Sequence, residues 1–332
     1  MPSMRNARIS GTGSAVPERV VPNAYFNDLL QEDVDTWLRE NVQIYERRWL
    51  SEGESVADLC ENAALQAIER AGIEAKDLDL IIIATDTPEF ISPSTASVLQ
   101  DRLGAVNAGS FDVNTACAGF VSGLDTGSKY IQADEQYQNI LVIGAYAMSR
   151  YLNLHDKKTV TLFADGAGAV VLSASEDGRS GQLASLQMTQ GQYNEWMGIY
   201  AGGARIPVSK EVVDRGEHKL QFIKRFPKEL NPTMWSSMAR QMVESAGCDL
   251  HDVKMFFMTQ ININSIHEML DILELPHDRA VYIMHKYGYT GSAAIPMALN
   301  QAVEEGSIRR GDLITLIGSG GGLAFAGSLV RY

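Results

Sequence analysis

Cys117 is the residue of this chain best placed to bond covalently to a substrate. The run Phe111-Asp112-Val113-Asn114 reads as a short strand. Ala118–Ile131 reads as a helix, small early and apolar at Phe120, Val121, Leu124 and Ile131. Cys117 stands at the junction. A thiol there faces unpaired backbone N–H groups and the positive end of a helix dipole, and both favour the thiolate, the nucleophilic form. Ala116, Ala118 and Gly119 leave room for a close approach. Cys60 falls within an amphipathic helical pattern and reads as a core residue, and Cys248 lies just past a helix end. Three cysteines at these spacings make neither a disulfide framework nor a zinc motif, so no metal site is expected and a reducing cytoplasm fits.

The elements that must position Cys117 occur twice. Ala71-Gly72 is followed by Asp77-Leu78-Asp79-Leu80-Ile81-Ile82-Ile83. At an offset of 175 residues, Ala246-Gly247 is followed by Asp252-Val253-Lys254-Met255-Phe256-Phe257. In each copy a helical pattern (Ala57–Arg70; Met234–Ser245) stops at Ala-Gly, as a C′ glycine stops a helix, and a compact apolar run of strand length follows. At the same offset Asn114–Ala118 lies over Tyr289–Ala293. Asn139–Gly144 lies over Leu313–Gly318 at 174, and Asp165-Gly166-Ala167-Gly168 answers Gly320-Gly321-Gly322-Leu323. Four matches in one order predict two related halves, 1–175 and 176–332, each alternating strands and helices in α/β layers. Strand runs this continuously apolar are buried on both faces. Two such halves related by a pseudo-twofold axis bring equivalent strand ends to one cleft, where α/β sheets bind ligands.

Composition narrows the function classes. The chain has 332 residues, 45% hydrophobic and 21% charged, as in an ordinary globular protein. No apolar run approaches the roughly 18 residues of a membrane span, and Met1–Ser10 lacks the apolar region of a secretory signal. A net charge of −13 argues against nucleic-acid binding, which needs a basic surface. Against that background Arg205–Lys228 holds seven basic residues and three acidic ones. It reads as a solvated loop, or as a docking patch for an acidic partner or a phosphorylated cofactor arm.

The run Asp112-Val113-Asn114-Thr115-Ala116-Cys117-Ala118-Gly119-Phe120 resembles the nucleophile motif of the β-ketoacyl-ACP synthase III enzymes. Leu162-Phe163-Ala164-Asp165-Gly166-Ala167-Gly168-Ala169, Gly288-Tyr289-Thr290-Gly291-Ser292-Ala293-Ala294-Ile295-Pro296 and the tail from Gly320 to Tyr332 resemble that family too, so the likeness spans the chain. It implies the thiolase fold, two related halves in a five-layered α-β-α-β-α sandwich. It also implies acyl-CoA or an acyl-carrier-protein thioester as substrate, no bound cofactor and a homodimer, with Phe163 in the substrate site.

The sequence departs from the family where the site is completed. Family members supply a histidine and an asparagine; Gln260 stands at the histidine position and Tyr289 at that of the asparagine. Glutamine cannot take up a proton near neutral pH, although Gln260 still offers N–H donors and Tyr289 an O–H donor to a substrate oxygen. Of the six histidines, His285, read on a strand leading to Tyr289, is the best substitute, and a structural or solvent role is expected for each. At the entrance Trp37 is kept, but Asn41 replaces the arginine that with it would hold the CoA nucleotide, and Arg39 is out of register. The stretch containing Arg205 is then the expected site for a carrier protein or an unusual CoA pose.

Two functions follow. In the first, Cys117 takes an acyl group from a thioester and passes it on by condensation or by transfer to a hydroxyl, amine or thiol. The N–H groups of Cys117 and Gly321 hold the thioester oxygen, while Gln260 and Tyr289 orient the acceptor. Fatty-acid-like or secondary-metabolite synthesis is the expected setting. In the second, the chain is a non-catalytic or half-catalytic subunit of a heteromeric ketosynthase. The intact Cys117 motif favours the first.

Overall fold

A computed structural model describes residues 5–332. Strands β1 (Asn6–Ala15), β2 (Leu80–Ala84), β3 (Gly109–Val113), β4 (Asn139–Ala147) and β5 (Asp165–Ser175) form one sheet. Strands β6 (Gly181–Thr189), β7 (Val253–Met258), β8 (Leu313–Gly320) and β9 (Ala324–Arg331) form a second. The first runs β1-β5-β4-β2-β3 and the second β6-β9-β8-β7. Strands β1, β5, β4 and β2 thus have β6, β9, β8 and β7 as counterparts in the same order. Their senses agree: β2–β4 and β7–β8 are parallel, and the other pairs of this set antiparallel. The repeat in the sequence is a repeat in the topology, with β3 as an extra edge strand parallel to β2.

Side-chain alternation builds the layers. Ile81 and Ile83 of β2 pack with Leu59, Ala63 and Ala67 of α1 (Val56–Ala71) and Leu99 of α2 (Thr95–Leu103). Leu80 and Ile82 face the other way, into a core with Phe120 and Leu124 of α3 (Gly119–Ala133) and Ile295 and Leu299 of a later helix (Ala294–Glu304). The same core takes Ile314 and Leu316 of β8 from the far side. The outer face of the second sheet, with Phe256 and Leu329, is covered by α4 (Leu230–Ser245) and α5 (Ile263–Ile272). With Ala294–Glu304 as α6, the order is α1/α2, sheet, α3/α6, sheet, α4/α5, the expected five layers.

The helix limits follow from local chemistry. At the start of α1 the Asp58 carboxylate accepts the Ser55 N–H at 2.7 Å, and Gly72, at φ 71°, ends the helix in the left-handed conformation. α4 begins four residues before the Met234 read from the sequence, because Pro232 sits in its first turn, where no N–H is needed. Gly247, at φ 63°, follows its end. Among the described residues no helix is long and apolar enough to cross a membrane.

Candidate active site

Register decides what meets Cys117. Ala84 of β2 pairs with Val113 of β3 and Gly144 of β4. Asp86, two residues past Ala84, is therefore level with Tyr146 of β4 and with the turn that follows β3. Cys117 is the middle residue of that turn, a 3-10 segment over Ala116–Ala118 leading into α3. Ala116 adopts φ 47°, an uncommon left-handed conformation for a residue with a Cβ. The Asn114 Oδ1 accepts the Ala116 N–H at 3.0 Å and helps fix the turn. From the second half, Gly320 of β8 presses against it: a Cβ there would lie 2.5 Å from the Cys117 nitrogen and 2.6 Å from the Thr115 oxygen. The counterpart turn, Gly291–Ala293 before α6, also begins left-handed, at φ 51°, with the Tyr146 ring against Gly291.

Cys117 opens on a cleft of about 250 Å³. Asp86, Asn114, Ala116, Tyr146 and Met148 line one side, and Gly321 and Gly322 of the β8–β9 turn another. Asn194, Met197–Tyr200 and Leu220 close it from outside. That outer wall is held by pairing of Met197–Gly198 with Gln221–Phe222, by the Leu220 N–H donating to the Tyr151 carbonyl at 2.8 Å, and by packing of Tyr193, Trp196 and Phe226.

At rest Cys117 is a thiol. Cys117 is 4% exposed, and burial, with the Asp86 charge next in weight, pushes it up to about 12. The nearby Tyr289 and Tyr146 hydroxyls oppose the shift without overcoming it. The thiolate expected from the helix start is thus overturned, because desolvation outweighs the dipole. Alkylation of Cys117 by iodoacetamide is expected to rise about tenfold per pH unit from pH 7 to 10 with no plateau; a plateau below pH 9 would contradict this.

Tyr289 is fully buried and touches the sulfur. Its ring packs on Phe163 at 5.4 Å and on Tyr146 at 6.4 Å between centroids. Tyr289→Phe keeps this packing and removes the hydroxyl. Acylation of Cys117 should slow roughly tenfold to 100-fold, as seen in single-turnover mass measurements, with its alkylation profile moved to higher pH.

Other residues read from the sequence take different places. Phe163, 1% exposed, lies behind Tyr289 and does not line the cleft; it supports the site without reaching a substrate there. Gln260 is also outside the cleft lining. Its amide donates to the Val281 carbonyl at 2.8 Å and accepts from the Ile283 and Met284 N–H groups at 2.8 and 3.2 Å. A side chain so engaged holds the 281–284 turn and does not orient an acceptor, which corrects the role expected of it. Gln260→Ala should destabilise the fold by about 3 kcal/mol, read from the urea midpoint, since three backbone groups lose their partner. His285 lies on a short helix, Met284–Tyr287, not on a strand, and burial lowers its pKa.

Gly321 does line the cleft, at the turn facing Cys117. Trp37 (52% exposed) and Asn41 lie on an outer helical turn, where the Asn41 amide donates to the Trp37 carbonyl at 3.0 Å. Arg205 is exposed, 3.6 Å from Glu195. Much of the positive charge around it is matched locally, by Lys210–Asp214 and Arg215–Glu217 pairs. No cluster of metal-binding side chains occurs among the described residues.

Sequence reading missed Asp86 and Tyr146. A signal existed for Asp86: it follows the carboxyl end of a central parallel strand, where α/β sheets place binding groups. Tyr146 sits inside an apolar strand run with nothing to distinguish it.

Comparison with known proteins supplies a family. Residues 111–191 match the model for 3-oxoacyl-[acyl-carrier-protein (ACP)] synthase III, and 243–332 that for its C-terminal part. The chain is 36% identical over 326 residues to beta-ketoacyl-[acyl-carrier-protein] synthase III of Clostridioides difficile (strain 630), covering 98% of both. The 3-oxoacyl-[acyl-carrier-protein] synthase III of Aquifex aeolicus VF5 superposes with a TM-score of 0.89 at 32% identity, over 98% of this chain and 100% of that one. The priming beta-ketosynthase of the R1128 polyketide biosynthetic pathway superposes at 0.90 with 26% identity, over 99% and 97%.

Proposed function

The chain belongs to the 3-oxoacyl-[acyl-carrier-protein] synthase III family, a family of thiolase-fold transferases, and from that premise we propose that Cys117 takes an acyl group from a CoA or carrier-protein thioester and passes it to a second substrate. The observation that carries the reading is the placing of one sulfur at a left-handed turn, on a cleft, against a glycine turn from the other half.

In the first half-reaction Sγ bonds to the thioester carbonyl carbon and the bond to the carrier sulfur breaks. The proton lost by Sγ leaves on the carrier thiol. The Cys117 and Gly321 N–H groups stabilise the oxyanion, and the Tyr289 hydroxyl stabilises the charge on Sγ. Gln260 acts as a positioning residue, bracing the turn before Tyr289. Trp37, Asn41 and Arg205 belong to the approach used by the carrier arm. We place the divide between halves near residue 175, in the β5–β6 link, so that Cys117 comes from one half and Tyr289 and Gly321 from the other. The working unit is a homodimer, the chemistry uses no bound cofactor, and the likeness to a priming ketosynthase of a polyketide pathway supports a place in secondary metabolism.

The test is a burst assay with acetyl, octanoyl and benzoyl thioesters of CoA and of acyl carrier protein. One equivalent of free thiol per chain is expected with at least one donor. Release with none of them, together with co-purification with a second ketosynthase, would favour a non-catalytic subunit.

A further inference from the structure

We propose that Asp86 is the general base of the second half-reaction, and that the acceptor it serves is a neutral hydroxyl or amine and not a carboxylated extender unit. The inference rests on the acyl-enzyme reading above.

Asp86 lines the cleft onto which Cys117 opens. Its Oδ1 is buried, and among the described residues it has no hydrogen-bond partner. An orphaned carboxylate oxygen costs stability and is retained where a reaction uses it. Cys117 from the nucleophile turn and Tyr146 from β4 line the cleft with it, and Tyr151 from the segment after β4 and Tyr289 from the second half are near enough to feel its charge. Tyr200 stands across the cleft, and among the described residues no lysine, arginine or histidine lines it. Burial without a cation raises the Asp86 carboxyl to about 6, opposed only by its own backbone N–H, so it is ionised at neutral pH yet basic enough to accept a proton.

This charge discriminates between acceptors. A malonyl-type unit would bring a second carboxylate into the same cleft, where like charges repel strongly in a poorly solvated space. A neutral acceptor instead finds a proton acceptor in the place where Gln260 and Tyr289 supply none. As the acceptor oxygen or nitrogen bonds to the acyl carbon, its proton moves to Asp86. The carbon–Sγ bond then breaks, and Cys117 recovers that proton from Asp86. The cycle ends with acylated acceptor, Cys117 thiol and Asp86 carboxylate, balanced in atoms and charge.

The full chain and its Asp86→Asn variant are loaded to completion with a donor thioester, freed of donor, and followed by intact mass as the acyl group is discharged to water, to 1 M glycerol or to hydroxylamine. Hydroxylamine attacks without a base. The expected result is a loss of about 100-fold or more in discharge to water and glycerol, and little change with hydroxylamine. Wild-type discharge should rise with pH through about 6, and that rise should vanish in the variant. Asp86→Gly with added formate is the companion test: formate restores discharge if a carboxylate base is what is missing, which a structural role would not do. Discharge of Asp86→Asn to glycerol at the wild-type rate, absence of formate rescue in folded Asp86→Gly, or efficient condensation of the wild type with malonyl-CoA would overturn the proposal. Failure of the wild type to load with any donor is a separate result; it removes the acyl-enzyme reading and this inference with it.

Discussion

Cys117→Ala is expected to show no mass gain with any acyl thioester that loads the wild type, and to lose turnover by roughly 10⁴-fold or more. The size of the effect follows from the absence of a substitute. Cys60 is fully buried in α1, and burial pushes its pKa far up. Cys248 lies beyond α4 with its Sγ 3.7 Å from the Ala246 carbonyl, and neither cysteine lines the cleft. The substitution adds no bulk to a site already packed by alanines, so the melting temperature should change little while the chemistry disappears. Partial acylation in folded Cys117→Ala would point to another nucleophile.

Gly320→Ala is the second large effect, and it acts without touching the sulfur. The new methyl would fall on backbone atoms of Thr115 and Cys117, which cannot swing aside as a flexible side chain can. Either β8 retreats or the turn shifts, and in both cases Sγ moves relative to the Gly321 N–H. A displacement near 1 Å at a reacting centre costs on the order of 100-fold in rate. Acylation should fall by about that factor. Equal acylation rates for Gly320→Ala and wild type would mean that the turn is not braced by β8.

The fold and the place of Cys117 between strand and helix were legible because their signals are local. Helix-ending glycines, an apolar strand run and a cysteine between strand and helix need only short stretches of chain, and the duplication needed only matches in one order, three of them at an offset of 174 or 175. The state of the thiol was not legible. A helix start argues for thiolate, whereas the degree of burial and the Asp86 charge depend on layers contributed by distant segments. Gln260 shows the same limit. Its type and position suggested donors aimed at substrate, but the 281–284 turn, some twenty residues on, accepts and donates every bond that matters. Phe163 belongs to a conspicuous motif, yet it is the packing of Tyr289 on Tyr146 and Phe163 that sends it behind the site. Asp86 and Tyr146 become partners only through the register of β2 and β4, which no single segment encodes.

Acylation at Cys117 is tested by digesting the acyl-loaded wild-type chain and weighing its peptides. The acyl mass is expected on the peptide containing Cys117, at one per chain, with release by hydroxylamine as a thioester requires. An acyl group found on Cys248, on a lysine or on no peptide at all would contradict acylation at Cys117.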